Sequence, residues 1–140
     1  MALVIANAPP RIYTTSKQLI GGDDFNNLSA QTNSAQTLTA LGVAQADAAQ
    51  INAANVEVLA GSANNAGVKL PVSNPGAEIV MLNNSANNTI VYPLGTDQIQ
   101  NAATTYAAAS AGVTIATLTS YKFRCIKKGF WQAYKFTGAP

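Results

Sequence analysis

The chain has 140 residues, a net charge of +2, no histidine and one cysteine. That length suits one domain, or one domain with an arm. A lone cysteine excludes an internal disulfide framework, and without histidine it also excludes a His/Cys metal cluster. Charged residues make up 10% of the chain and hydrophobic ones 48%, a balance that protects a monomer poorly against association, so part of the apolar surface is expected to be covered by a partner, foremost copies of the chain itself.

Residues 1–35 read differently from the rest. Pro9-Pro10 favours an extended path, and Gly21-Gly22-Asp23-Asp24 reads as a turn or joint. Polar residues dominate from Asn26 to Gln36. A disordered tail is one reading of this composition. The large apolar residues Val4, Ile5, Ile12, Tyr13, Leu19, Ile20, Phe25 and Leu28 favour the other, an extended arm that orders against a neighbour. From Ala35 to Ala60, Thr37–Leu41 and Asn55–Leu59 alternate like strands. Between them, Gln45–Ile51 has helix propensity and stays open, with a lean to strand.

The second half carries the clearest pattern, with short apolar runs separated by Asn, Gly and Pro. Val68–Val72 is expected as a strand. Asn74-Pro75-Gly76 suits a turn with Pro at the second corner and Gly at the third, where φ is positive. Glu78–Asn83 reads as a strand with apolar residues on both faces, as at a buried position. Asn84–Asn88 reads as a hairpin loop of small polar residues, with Thr89–Pro93 as the return strand. Weaker strands are expected at Thr104–Ala109 and Val113–Leu118. In Tyr121–Cys125, alternation places Tyr121, Phe123 and Cys125 on one face and Lys122 and Arg124 on the other. Lys128-Gly129 then turns the chain into a last strand, Phe130–Phe136. The expectation is an all-β fold: residues 1–35 as an extended N-terminal arm, and residues 36–140 as a small β-sandwich or barrel of about eight short strands.

Candidate chemistry is sparse. Asp23-Asp24 would need further ligands to hold Ca²⁺ and read as a turn. Glu57 and Glu78 fall within strands, where cross-strand pairs explain them better than a glycosidase pair. Asp97 follows Gly95-Thr96 as a turn residue. Five of the eight basic residues, Lys122, Arg124, Lys127, Lys128 and Lys135, come after the last acidic one, Asp97. With Tyr121, Phe123, Phe130, Trp131 and Tyr134 they resemble a stacking platform for single-stranded nucleic acid, or for Trp131 and Tyr134 a sugar-binding surface. A core face alternating with a solvated one gives the same pattern and is the expectation. Contact with an acidic neighbour ranks above contact with nucleic acid, since there is no dense basic cluster. Cys125 is expected to be a small core residue. No apolar run approaches the roughly 20 residues of a membrane span. The leading Met-Ala-Leu-Val-Ile-Ala lacks the length and basic flank of a signal peptide. A soluble protein made in the cytoplasm is expected, and the Asn-X-Ser/Thr matches at Asn27, Asn83 and Asn87 read as accidents of an Asn-rich chain.

Six segments, taken in order, carry a resemblance. They are Ala44–Ala48, Val56–Leu59, Gly67-Val68-Lys69-Leu70-Pro71, Ile79–Asn84, Val91-Tyr92-Pro93 and Gly129-Phe130-Trp131. Together they resemble a β-rich structural module of tailed-phage virion proteins, over Leu38–Trp131. The chain departs from that pattern in its Ala-rich insertion around Tyr106–Gly112 and in Phe130-Trp131-Gln132, where Trp-Tyr is usual. The resemblance implies a virion component without enzymatic activity or cofactor, on the capsid surface. Its first form is a decoration or cement protein that stabilises the assembled head shell as a homotrimer. Its partners would be itself and the major capsid protein, with no membrane and no direct nucleic acid. The alternative form is a head or tail fibre protein that contacts host glycans. The arm residues Val4, Ile5, Ile12, Tyr13, Leu19, Ile20 and Phe25 are the expected capsid anchors. Asn84, Asn87 and Asn88 are the expected loop contacts.

Overall fold

The computed structural model describes residues 35–101 and 109–136. The strands are β1 (Ala35–Ala40), β2 (Ala49–Gln50), β3 (Asn55–Gly61), β4 (Ala66–Lys69), β5 (Glu78–Asn83), β6 (Thr89–Tyr92), β7 (Gln98–Asn101), β8 (Val113–Ile115), β9 (Thr119–Lys127) and β10 (Phe130–Lys135), with one 3₁₀ turn at Gln45–Asp47. The fold is all-β, as expected, with ten strands among the described residues rather than about eight. The open segment Gln45–Ile51 divides between the 3₁₀ turn and β2. The expected arm and most of the expected strand Thr104–Ala109 lie outside the described residues.

From β1 to β9 the chain alternates between two sheets. One has the order β1-β3-β5-β9-β10-β7 and the other the order β2-β4-β6-β8. Pairing is parallel along β1-β3-β5 and along β2-β4-β6. Ala35 thus lies beside Asn55, and Asn55 beside Val80. Parallel neighbours need a long crossover, and here the intervening strand in the other sheet supplies it. The chain therefore winds in successive turns whose backbone repeats although the residues do not. Antiparallel pairing follows, β8 against β6 and β9 between β5 and β10, and β7 closes the larger sheet parallel to β10.

This winding corrects the expected hairpin. β5 and β6 belong to different sheets, and Asn84–Asn88 carries the chain from one to the other. Small polar residues suit either course. What decides is that Asn83 and Ser85 are buried, which bends the chain into the core layer instead of back along its own sheet. The turn Asn74–Ala77 forms as read: the Ala77 amide donates to the Asn74 carbonyl at 2.9 Å, and Gly76 has φ 89°.

Both sheets bury one face in a single core. Val56, Val58, Ile79, Met81, Tyr121, Phe123, Cys125, Trp131 and Ala133 come from the larger sheet, and Ala66, Val68, Val91, Val113 and Ile115 from the smaller. The alternation read in Tyr121–Cys125 is borne out. Each large apolar side chain fully buried is worth roughly 1.5–3 kcal/mol, so these inward rows dominate the stability of the fold.

The outer side of the smaller sheet has its own close packing. The Tyr92 ring lies against Gly67 and Gly112, and its hydroxyl donates to the Val43 carbonyl at 2.9 Å. Gln45 Nε2 donates to the carbonyls of Pro93 at 2.9 Å and Gly95 at 2.8 Å, which fastens the 3₁₀ segment to the same region. A Cβ on Gly112 would stand 2.3 Å from Ile90 Cγ2 and 3.0 Å from Tyr92 Cδ1. Ile90 is β-branched and stiff at χ1, so it cannot yield cheaply. Gly112→Ala is therefore expected to lower stability by about 1–3 kcal/mol, read as a lower urea midpoint with an unchanged slope.

Candidate interaction surface

The outer face of the larger sheet is the most distinctive surface among the described residues. Register sets its rows. One row runs Ala35, Asn55, Val80, Lys122, Tyr134, and the next runs Thr37, Glu57, Leu82, Ser120. A third brings Glu78, Arg124 and Gln132 side by side. Five large apolar side chains stand out along it: Leu59, Val80, Ile126, Tyr134 and Phe136 are between 37% and 50% exposed. Two are products of irregular pairing. The register slips by one residue at Leu59 in β3 and at Ile126 in β9, and such bulges re-aim a side chain and sharpen the local twist.

A shallow depression of about 220 Å³ lies at the β1-β3-β5 end, bordered by Thr37, Asn55, Glu57, Val80 and Leu82. At the centre of the face, Glu78 Oε1 meets Lys122 Nζ at 2.8 Å, and its other oxygen lies 3.7 Å from Arg124 Nε. The hydrogen bond from Lys122 is the chief cause that holds the Glu78 carboxyl below the usual carboxylate range; burial opposes it, and the charges of Lys122 and Arg124 add smaller lowering effects. A carboxyl lowered in this way stabilises the fold above the pKa of the unfolded chain, and that contribution is lost as pH falls through the folded value. The cluster is solvated, so its worth is that of a surface pair. Glu78→Gln is expected to cost about 0.5 kcal/mol or less at neutral pH. The difference from the parent should vanish below about pH 4, as urea titrations across pH would show.

The Asn-rich crossover is organised from within. Asn83 is fully buried. Its Nδ2 donates to the Asn87 carbonyl at 2.9 Å and the Ile115 carbonyl at 3.1 Å, and its Oδ1 accepts from the Ser85 amide at 3.2 Å and the Ser85 hydroxyl at 2.7 Å. The Asn87 carbonyl lies 2.8 Å from Ser85 Oγ and shares its one hydroxyl proton with Asn83 Oδ1, and the Thr117 hydroxyl donates to the Ser85 carbonyl. Of the expected loop contacts, Asn84 is exposed and donates from Nδ2 to Glu57 Oε1 at 2.9 Å. Asn87 and Asn88 are half-buried. The Asn88 amide donates to Asn64 Oδ1 at 3.1 Å, and its carbonyl accepts from the Asn65 amide at 2.9 Å. The loop thus spends most of its hydrogen-bonding capacity on its own shape.

The expected arm anchors Val4, Ile5, Ile12, Tyr13, Leu19, Ile20 and Phe25 lie outside the described residues. Trp131 is fully buried, which removes it as a sugar or base platform, whereas Tyr134 is on the outer face with its hydroxyl donating to Gln132 Oε1. Cys125 is buried, and desolvation, with a smaller effect from Asp97, pushes its thiol above the usual range. Sequence reasoning missed the surface formed by Leu59, Val80, Leu82 and Ile126. Val80 and Leu82 read as buried on both faces, a correction that the exposure of Val80 and partial exposure of Leu82 make plain. No protein-family model, curated protein or solved structure matches the chain.

Proposed function

We propose that this chain is a non-enzymatic structural subunit of a tailed-phage virion, a decoration protein that binds the assembled head shell as a homotrimer. The observation that carries this reading is the gathering of Leu59, Val80, Ile126, Tyr134 and Phe136 on one face of the larger sheet, around the Glu78–Lys122–Arg124 cluster. Apolar side chains collected on one face among a few charges suit a surface that another protein covers. The two sheets over one core are read as a β-sandwich, wound in parallel turns. A subunit that binds only the assembled shell stabilises it by mass action, and several symmetric copies multiply a modest contact. The arm, residues 1–35, would add apolar anchors in Val4, Ile5, Ile12, Tyr13, Leu19, Ile20 and Phe25. The fibre reading draws less support. A glycan contact through Asn84 would compete with its side-chain bond to Glu57, and Asn87 and Asn88 are half-buried.

Sedimentation of the purified full-length chain, alone and with empty heads of the parent phage, tests the proposal. The expected result is a species of three times the 14.5 kDa chain mass that pellets with the heads. A single subunit that stays in the supernatant would overturn it.

A further inference from the structure

The outer face of the larger sheet is polarised from end to end. At one end is the depression whose lining includes Val80, Leu82 and Glu57. Glu57 forms no ion pair among the described residues, and one of its carboxylate oxygens accepts from Asn84. At the other end is the β9–β10 hairpin. Its bulge pushes Ile126 outward, half exposed, beside Lys127 and Lys128. Lys127 is drawn over the Phe130 ring at 4.4 Å, and Lys128 forms no ion pair among the described residues. The hairpin and its flanks carry five cations and no acid, and Glu78 is the only carboxylate within ion-pair distance of any of them among the described residues. An apolar knob flanked by positive charge therefore stands at the hairpin tip, and an apolar hollow beside a negative charge lies on β1-β3-β5. The two are complementary, and within one molecule the sheet holds them apart, since Val80 pairs with Lys122, four residues from Ile126 on the adjacent strand.

We propose that this face is the contact between copies of the chain: the Ile126–Lys128 bulge of one subunit seats in the β1-β3-β5 depression of the next, with Ile126 on Val80 and Leu82 and Lys128 against Glu57. This rests on the self-association proposed above and names the surfaces that make it. The contact joins two different patches, so it can repeat head-to-tail, and in the proposed homotrimer it closes into a ring. A trimer is the smallest such ring that differs from an isologous pair. The arrangement also uses the exposed apolar groups at both ends of the face, which nothing else among the described residues covers.

The test is sedimentation equilibrium of the full chain with Glu57→Lys, Lys128→Glu and the two together, with circular dichroism to verify folding. Ile126 and Lys128 are exposed and Glu57 is half-buried on the outer face with only the Asn84 bond to lose, so the fold should be retained. Each single charge reversal is expected to weaken association by on the order of tenfold or more, because like charges then face each other. The double variant exchanges the signs across every contact and is expected to recover most of the loss. Association of the parent should weaken with added salt. Ile126→Asp, which removes the knob without relying on Lys128, should give single subunits. A parent trimer that none of these changes disturbs would overturn this contact and leave the structural role standing. So would a trimer that persists in Lys128→Glu while head binding is lost, since the hairpin would then serve the shell. A parent that is a single subunit and does not bind heads would overturn both.

Discussion

Trp131→Ala is expected to lower stability by about 3–5 kcal/mol, the largest loss from any one truncation in this core. Trp131 is the largest fully buried side chain. It sits on β10 between two neighbours, in register with Cys125 of β9 on one side and Ile99 of β7 on the other, both of them buried. Its removal leaves a hole beneath three strands of the larger sheet, and β-sheet backbone collapses poorly into such a gap. The indole adds a second, separable element. Its Nε1 is buried and has no hydrogen-bond partner, so the polar edge of the ring is a cost and not a support. Trp131→Phe removes that donor and keeps most of the packing. It is expected to lose no more than about 1–2 kcal/mol. Urea unfolding followed by far-ultraviolet circular dichroism measures both, since the only tryptophan of the chain cannot report on its own replacement. If the phenylalanine variant fell as far as the alanine variant, the Nε1–H would have to be engaged in the folded protein, for instance by a buried water.

What could be read from the sequence was local. Tyr121, Phe123 and Cys125 alternate with Lys122 and Arg124, and a period of two fixes which side chains share a face whatever the strand pairs with. Asn74-Pro75-Gly76 encodes its turn through backbone preference alone. Strand partners are not local. Val80 and Leu82 are as apolar as Ile79 and Met81, and only the position of the second sheet decides which pair is buried. Asn84–Asn88 has the composition of a hairpin loop, and its actual course depends on where Ile115 and Thr117, some thirty residues later, offer Asn83 and Ser85 their partners. The bulges that expose Leu59 and Ile126 arise from register against β1 and β10. No residue type at those positions announces them. The candidate surface was therefore hidden for the same reason as the winding: both are properties of pairing.

Asn83 supplies the second large effect. It is the hinge of the crossover between β5 and β6, and its side chain ties Ser85 and Asn87 of that crossover to Ile115 of β8. Asn83→Ala would deprive the Ile115 carbonyl and the Ser85 amide, both on buried residues, of their side-chain partner, while the Asn87 carbonyl keeps Ser85 Oγ. Each buried polar group left unpaired costs about 1–3 kcal/mol. Allowing for relaxation of the loop, a total loss of about 3 kcal/mol is expected. Asn84→Ala, next in sequence, breaks only the exposed bond to Glu57 and should stay within about 0.5 kcal/mol of the parent. Asn83→Asp sharpens the argument. A carboxylate at that position would face two carbonyl oxygens with no proton to offer, so burial would raise its pKa in the folded state above that of the unfolded chain. An acid raised in this way destabilises the fold as pH climbs through the unfolded value. The aspartate variant should therefore be most stable in acid and lose stability toward neutrality, opposite in sign to the contribution of Glu78. Urea titrations at pH 4 and pH 7 separate the two outcomes. A flat profile would mean that the side chain has swung out to solvent and that the crossover holds its shape without it.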